Sequence, residues 1–325
     1  MKASLATLAK RLPYPLFLRA FYLLYRYRNL PAADAARRRA RVPLLSDCDL
    51  AAHKRSDTLF VLGGGTSINA ITAERWQGIA AHDSLGLNWW LIHPFVPTFY
   101  MLEVVTEEAF PEGFRRYIEI ANRRAPDYAG TVKIAMELDK PGTQSIAHVS
   151  PEFRRNLYAA YNLPAPARTE QEFARALRYL AATGPLRRET RFSTLLKYAA
   201  SLTTTLAFAL KLGYKNIVLC GIDLTTQEYF YQDPQLYPDW AEFEYVPRQS
   251  RHDTDVRLEW RIPVSSAIAV MRRELLEPAG VELYIENRGS ALWPMLPEAP
   301  QWLFAPRATQ APHASAARAG VLQTD

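Results

Sequence analysis

Short apolar runs alternate with amphipathic stretches along most of the chain. Runs typical of buried strands occupy 58–62, 84–88, 97–102, 131–135, 216–220 and 281–285. Helical spacing of apolar residues is found at 68–79, 107–125, 168–183, 196–212 and 256–277. Strands that alternate with helices predict a Rossmann-like α/β fold, in which a mostly parallel sheet is flanked by helices.

The composition divides the 325 residues into three parts. Residues 1–45 form a basic amphipathic arm, and residues 46–300 hold the α/β domain. Within that domain, the aromatic and poorly periodic stretch at 225–255 predicts a small lid over a site. Residues 306–325 are rich in Ala, Pro, Ser, Thr and Gln, and we expect them to be disordered.

The net charge of +6 is concentrated at the N-terminus. Residues 1–42 contain ten Lys or Arg and one acid, a charge of +9, so the remainder carries about −3. A slightly acidic body argues against nucleic acid as a partner. Pro13, Pro15 and Arg19 interrupt the apolar stretch of the arm, so we expect neither a signal peptide nor a transmembrane helix.

The arm carries apolar and aromatic residues at helical spacing, among arginines. These residues are Leu16, Phe17, Phe21, Leu24 and Tyr25, with Arg19, Arg26 and Arg28 beside them. Such a helix can lie on an anionic membrane surface. The alternative is a helix docked on the core with a solvated basic face. The two cysteines form no disulfide framework, which favours a reducing compartment.

Candidate ligand-binding residues follow several of the predicted strands. Gly63, Gly64, Gly65, Thr66 and Ser67 come after the first strand, Asn88 after the second, and Gly221 and Asp223 after the strand at 216–220. Ligands of such sheets bind at the carboxyl ends of the strands. Consecutive glycines let the backbone approach a phosphate, and a following helix would add its N-terminal N–H groups.

Several common chemistries have no motif in this sequence. The glycine turn lacks GxGxxG and the GK[ST] ending of a P-loop, which disfavours ordinary NAD and ATP sites. There is no HExxH, CxxC pair or GxSxG, and the acids at 253–255 fit helix capping better than metal binding. We expect no metal and no cofactor. His252, just after the aromatic stretch, could take a proton from a hydroxyl nucleophile.

Four blocks of sequence resemble the bacterial sialyltransferases of glycosyltransferase family 42. They are Leu62 to Ser67, Gly86 to Asn88, Leu212 to Ile217 and Gly221 to Asp223, in matching order over roughly 57–290. The same core is also similar to the pterin diphosphokinase-like proteins and the β-Kdo transferases. The resemblance implies the GT-A-like variant of the α/β fold and metal-independent transfer from a CMP-activated acidic sugar. A glycan or lipid-linked acceptor is implied as well.

The resemblance also implies roles for individual residues. The glycine turn would lie under the donor phosphate, Ser201 would contact that phosphate at a helix start with Thr203 close by, and Gly221 and Asp223 would bind cytidine. Tyr231, with Tyr229 as a nearby substitute, would stabilise the leaving phosphate, and His252 would be the general base.

Three positions differ from the family pattern. Gly64 and Thr225 replace an Asn and a Tyr, and Glu103 lies in the region of a missing Asn, where we expect it to contact the donor or acceptor sugar. These changes leave related ulosonic acids open as donors beside sialic acid. We expect a cytoplasmic enzyme, peripheral at the inner membrane face through residues 1–42, that could form homo-oligomers. The alternatives are an ATP-dependent diphosphokinase-like enzyme and a non-catalytic, membrane-docked partner in glycan assembly.

Overall fold

A computed structural model describes residues 13–186, 192–243 and 252–305. Seven parallel strands form the central sheet: β1 (Thr58–Leu62), β2 (Asp83–Leu87), β3 (Phe99–Glu103), β4 (Val132–Met136), β5 (Leu157–Ala159), β8 (Asn216–Cys220) and β9 (Glu282–Ile285). Their order across the sheet is β5-β4-β3-β2-β1-β8-β9. The predicted α/β class and parallel sheet are confirmed. A second sheet, which the sequence pattern did not predict, pairs β6 (Tyr161–Pro164) with β7 (Thr194–Lys197).

The inner strands of the central sheet are covered on both faces. In β1, Leu59 and Val61 point into one apolar layer, whereas Phe60 and Leu62 point into the other. This alternation follows from the two-residue period of a strand. Because neither face meets water, the strand is continuously apolar, which is the feature that made it recognisable in the sequence.

Helices from different parts of the chain cover the two faces. The described residues form α1 (Tyr14–Leu24), α2 (Leu30–Ala40), α3 (Leu50–His53), α4 (Ala73–Ala80), α5 (Pro111–Arg123), α6 (Glu170–Thr183), α7 (Ser201–Leu212) and α8 (Val264–Met271). Buried residues of α1, α6, α7 and α8 belong to one apolar layer, and those of α4 and α5 to the other.

Three predicted helices have different limits in the structure. The stretch 68–79 is a short 3₁₀ turn (Thr66–Ala70) and a separate helix, α4, whose first N–H groups are capped by Thr72. The stretch 196–212 begins with strand β7, and the helix starts only at Ser201. The stretch 256–277 becomes helical at Val264. Apolar spacing predicted that these elements exist but not where each helix begins and ends. Those limits depend on local capping and on strand pairing.

The described part of the N-terminal arm is folded against the body. Tyr14 donates hydrogen bonds to the carbonyls of Pro166 and Glu172, and the ring of Tyr22 stacks on Tyr179 of α6 at 5.6 Å. Leu18 is buried in the apolar layer beneath. The inner side of the arm therefore agrees with the alternative interpretation, a helix docked on the core. None of the helices within the described ranges is long and apolar enough to cross a membrane.

The aromatic segment after β8 also packs on the body as far as it is described. Trp240 and Phe243 lie against Trp89, and the guanidinium of Arg116 lies over both rings at 5.3 and 5.2 Å. Residues 244–251 of the predicted lid lie outside the described residues, as does the tail at 306–325.

Candidate active site

A cavity of about 660 Å³ opens at the carboxyl ends of the central strands. From β1 the chain builds the sheet through β2 to β5 in one direction, and β8 and β9 lie on the other side of β1. The strand order therefore reverses between β1 and β8, which is where open α/β sheets bind ligands. Predicted site residues in the cavity wall are Gly63, Gly64, Gly65, Asn88, Glu103, Ser201, Gly221, Asp223, Tyr229, Tyr231 and His252.

The glycine turn is locked to the loop that follows β8. Gly63 and Gly65 donate backbone hydrogen bonds of 2.8 Å to the carbonyls of Cys220 and Gly221. A Cβ on Gly63 would lie 2.5 Å from the Gly221 carbonyl, and Gly221 itself has a φ of +64°. Glycine is therefore required here for contact between the two loops, besides any approach to a ligand.

Asp223 caps the start of the 3₁₀ turn (Thr66–Ala70) that follows the glycines. Its carboxylate accepts hydrogen bonds from the backbone N–H of Ser67 at 3.0 Å and from the Ser67 hydroxyl at 2.5 Å. The Thr66 hydroxyl lies 3.5 Å from the same carboxylate. The sequence placed a helix N-terminus here for a phosphate. Instead, the carboxylate of Asp223 already occupies the start of a single turn, and Thr66 and Ser67 are not in the cavity wall.

The N-terminus of α7 borders the cavity from the other side. Ala200, Ser201 and Leu202 lie in the cavity wall, and no side chain caps this end of the helix. The first N–H groups of a twelve-residue helix, together with its dipole, form a favourable site for an anion. Thr203 is not in the wall, because its fully buried hydroxyl donates to the backbone carbonyl of Tyr198.

Glu103 belongs to an ion-pair network on the cavity floor. Its carboxylate accepts from Lys197 and from the Ser201 hydroxyl, and Lys197 lies 3.3 Å from Glu137. Lys140 is 2.5 Å from the other oxygen of Glu137. Burial raises the pKa of Glu103, but Lys197 and the Ser201 hydroxyl outweigh that effect, so the net pKa is lowered and the carboxylate is ionised.

His252 is half-buried and held by Thr254. Its Nδ1 accepts a hydrogen bond from the Thr254 backbone N–H at 3.3 Å and lies 2.8 Å from Thr254 Oγ1. These contacts hold the imidazole ring in one orientation. Burial lowers the pKa of His252, and Arg261 adds to that effect, whereas Asp253 and Asp255 oppose it. The imidazole is therefore neutral at pH 7.

Tyr229 and Tyr231 stand between the glycine turn and His252. Their rings stack at 5.3 Å with an interplanar angle of 8°, and the Tyr229 ring meets His252 edge-on at 6.3 Å. Tyr231 is buried and Tyr229 is half-buried. A Cβ on Gly64 would lie 2.9 Å from the Tyr229 ring, so the absence of a side chain at Gly64 makes room for this tyrosine.

Backbone strain is concentrated around the cavity. Of six non-glycine residues with positive φ in the described ranges, Asn88, Glu137, Ala199 and Leu224 lie in the cavity wall. Such conformations cost free energy and are retained mostly at functional sites. The side-chain oxygen of Asn88 accepts from the backbone N–H of Glu103, which leaves its amide nitrogen as the donor on the cavity side.

Sequence reasoning missed several residues of this site. Lys197 and Glu137 surround Glu103, and Thr254 orients His252. Glu137 follows the end of β4 as Glu103 ends β3, so the strand-end rule could have found it. No signal in the sequence pairs Lys197 with either acid. No group of three or more metal-ligating side chains is found in the part of the chain that the structure describes.

Comparison with known proteins finds sialyltransferases among solved structures. No family model and no curated protein matches the chain. Campylobacter jejuni CstII with the substrate analogue CMP-3FNeuAc is 16% identical, over 75% of this chain and 86% of that one (TM-score 0.38). Monofunctional α-2,3-sialyltransferase Cst-I from Campylobacter jejuni is 15% identical, over 76% and 82% (TM-score 0.41).

Proposed function

We propose that the protein is a glycosyltransferase that moves an acidic sugar from a CMP-sugar donor to an acceptor hydroxyl. The sugar is sialic acid or a related ulosonic acid, and the acceptor is a glycan or glycolipid. One observation carries this proposal. An oriented, neutral His252 and the uncapped N-terminus of α7 line the same cavity, at the reversal of strand order between β1 and β8. A proton acceptor and an anion site are the two groups that this transfer needs.

The donor would span the cavity from β8 to β3. We place the cytidine against Gly221 and Asp223, since Gly221 has no side chain to block a flat base. The phosphate would meet the first N–H groups of α7 and the Ser201 hydroxyl. Ser201 then exchanges its hydrogen bond to Glu103 for one to the phosphate, while Lys197 continues to neutralise Glu103.

The reaction would be a direct displacement at the anomeric carbon. His252 takes the proton of the acceptor hydroxyl, whose oxygen forms the new bond to that carbon. The bond from the anomeric carbon to the phosphate oxygen breaks, and CMP leaves with both bonding electrons. The N–H groups of α7, Ser201 and the hydroxyls of Tyr229 and Tyr231 stabilise the negative charge that develops on the phosphate. These donors fill the role that a divalent cation has in other transferases, so we propose a reaction without metal or cofactor.

A ligand screen tests the nucleotide specificity. CMP at about 100 times its dissociation constant should stabilise the fold by about 2.7 kcal/mol, which raises Tm by about 4 °C in a chain of this size. CDP, ATP with Mg²⁺, and NAD should give smaller shifts. A shift with ATP and Mg²⁺ alone would support the diphosphokinase-like alternative. No shift with any nucleotide would support a non-catalytic role.

Transfer itself requires a second assay. The protein is incubated with CMP-activated sialic acid, Kdo or another ulosonic acid, and with sugar acceptors, in the presence of EDTA. Release of CMP that depends on the acceptor, and is unchanged by EDTA, is the expected result. Activity that disappears with EDTA and returns with Mg²⁺ would contradict the metal-independent mechanism.

The remaining assignments of partner and location belong to the same proposal. We propose a cytoplasmic enzyme that is peripheral at the inner membrane face, has no nucleic-acid partner and could form homo-oligomers. The +9 charge of residues 1–42, beside a body of about −3, is the support for a membrane rather than a nucleic acid.

A further inference from the structure

The outer side of α1 and of the turn after it is apolar and open to solvent. Leu16, Leu23, Leu24 and Tyr27 are 49%, 55%, 59% and 74% exposed. We call these four residues the apolar stripe. They make up four of the ten exposed large apolar residues in the described ranges, within twelve consecutive positions. Single exposed apolar residues are ordinary, whereas a concentration of them marks an interaction surface.

The residues around the apolar stripe are basic. Arg19, Arg26 and Arg28 are exposed, and no acidic residue occurs from 14 to 29. Within the part of the chain that the structure describes, none of these three arginines forms an ion pair. The preceding residues 1–12 add two lysines and one arginine to the sequence, again without an acid. The surface thus combines exposed leucine and tyrosine side chains with positive charge only.

This surface is connected to the wall of the cavity through Glu137. Tyr25, in the π-helical segment between α1 and α2, donates a hydrogen bond to the carbonyl of Asn162. Tyr25 and Asn29 line a small crevice together with Glu137 and Asp139. Glu137 also belongs to the wall of the main cavity. One residue therefore connects the turn that carries Tyr27 with the candidate active site.

We infer that the apolar stripe and its three arginines rest on an anionic lipid bilayer and hold the cavity next to the membrane surface. The leucines and Tyr27 would enter the boundary of the hydrocarbon region, while the arginines contact lipid phosphates. Helix α1 continues through the π-helical segment Tyr25–Asn29 into α2. No helix in the described ranges is long and apolar enough to cross a membrane, so α1 would lie along the surface. The lipid contact stands independently of the reaction, but a lipid-linked acceptor for this cavity rests on the proposed transferase function.

Charge complementarity favours lipid over a second copy of the chain. An isologous contact would place the arginines of two stripes near each other, with no acid on the stripe to pair with them. A bilayer with anionic headgroups supplies many negative charges at once. Each basic residue near such a surface strengthens binding about fivefold, since the effect is worth about 1 kcal/mol.

Vesicle sedimentation with the full-length protein tests the inference. Binding is measured to vesicles of phosphatidylcholine alone and to vesicles that also contain the anionic lipid phosphatidylglycerol. We expect strong binding to the second kind only. The triple variant R19Q/R26Q/R28Q should bind on the order of 100-fold more weakly. The triple variant L23S/L24S/Y27S should bind more weakly by a similar factor. Its serine side chains lack the apolar area that the two leucines and Tyr27 would bury in the lipid.

Matched controls distinguish vesicle binding by this surface from binding caused by net charge or by exposed apolar residues elsewhere. The variant R115Q/R123Q/R288Q removes the same charge from exposed positions, two of them on α5 across the sheet, and should bind vesicles like the wild type. The variant L236S/W302S removes exposed apolar residues elsewhere and should also be unchanged. All variants should keep the wild-type Tm and the wild-type response to CMP.

Three results would overturn the inference. The first is equal binding to neutral and anionic vesicles, and the second is equal loss in the stripe variants and their controls. The third is a dimer in solution that L23S/L24S/Y27S dissociates, which would assign the stripe to a second copy of the chain. Failure of CMP binding or transfer in the wild type would contradict the proposed function and leave the vesicle result standing.

Discussion

Replacement of His252 by Gln should slow transfer without weakening donor binding. A positioned general base contributes about 10²- to 10⁴-fold to a rate, which corresponds to about 3–5 kcal/mol of activation free energy. Gln can still hydrogen-bond near Thr254 but cannot take a proton. We therefore expect kcat to fall by at least about 100-fold, while the dissociation constant for CMP stays within about twofold.

The pH profile gives a second measurement of the same group. Burial lowers the pKa of His252 below its ordinary value of 6.5. The imidazole is the active base only when it is neutral, so kcat/KM should fall on the acid side with a midpoint below 6.5. The variant T254V removes the hydroxyl that contacts Nδ1. We expect kcat to drop about five- to tenfold, because one hydrogen bond that orients the imidazole ring is lost.

Two outcomes would refute this role of His252. One is a value of kcat for H252Q within about tenfold of the wild type. The other is an acid limb that keeps the same midpoint in H252Q, since the titrating group would then be a different residue. A parallel loss of CMP binding in H252Q would show that the residue holds the donor and is not specific to the proton transfer.

Further predictions concern the loops, the fold and the anion site. Gly65→Ala places a Cβ 2.5 Å from Asp223 Oδ2 and should lower Tm by about 2–6 °C, whereas Gly130→Ala, with no heavy atom within 4 Å, should leave Tm unchanged. Burial lowers the pKa of Lys133 to about 8, against an ordinary 10.5. The folded protein therefore releases this proton first, and its unfolding free energy should rise by up to about 3 kcal/mol from pH 8 to 10.5. In urea titrations, Lys133→Met should lack that part of the rise. Ser201→Ala should weaken CMP binding about five- to tenfold in calorimetry, and unchanged affinity would remove Ser201 from the phosphate site.

The candidate residues at the strand ends show which parts of the site the sequence could predict. Gly221 and Asp223 were found because parallel strands bring their carboxyl ends to one edge, a rule that needs no coordinates. Their partners were not found by that rule. The contact of Asp223 with Ser67 spans 156 positions, and that of Lys197 with Glu103 spans 94. No local pattern encodes which strand end faces which.

Which helix N-terminus faces the cavity was also decided by the tertiary structure. The residue pattern predicted that helix 68–79, next to the glycine turn, would bind a phosphate, and the family resemblance implied a second contact from Ser201 at another helix start. In the folded protein, the carboxylate of Asp223 occupies the start of the 3₁₀ turn there, whereas the N-terminus of α7 lines the cavity uncapped. Capping depends on side chains that arrive from distant strands, so it is invisible to a window of neighbouring residues.

The sequence by itself determined the elements, the parallel sheet and the separation of charge between arm and body. Apolar periodicity and residue counts are local properties, and burial on both faces leaves a clear signal in each strand. The tertiary structure alone decided that α1 docks through Leu18 and exposes Leu23 and Leu24. It also placed Thr254 against the ring of His252 and joined Glu103 to Lys197. These choices depend on distances between segments far apart in the chain, which only the packed fold fixes.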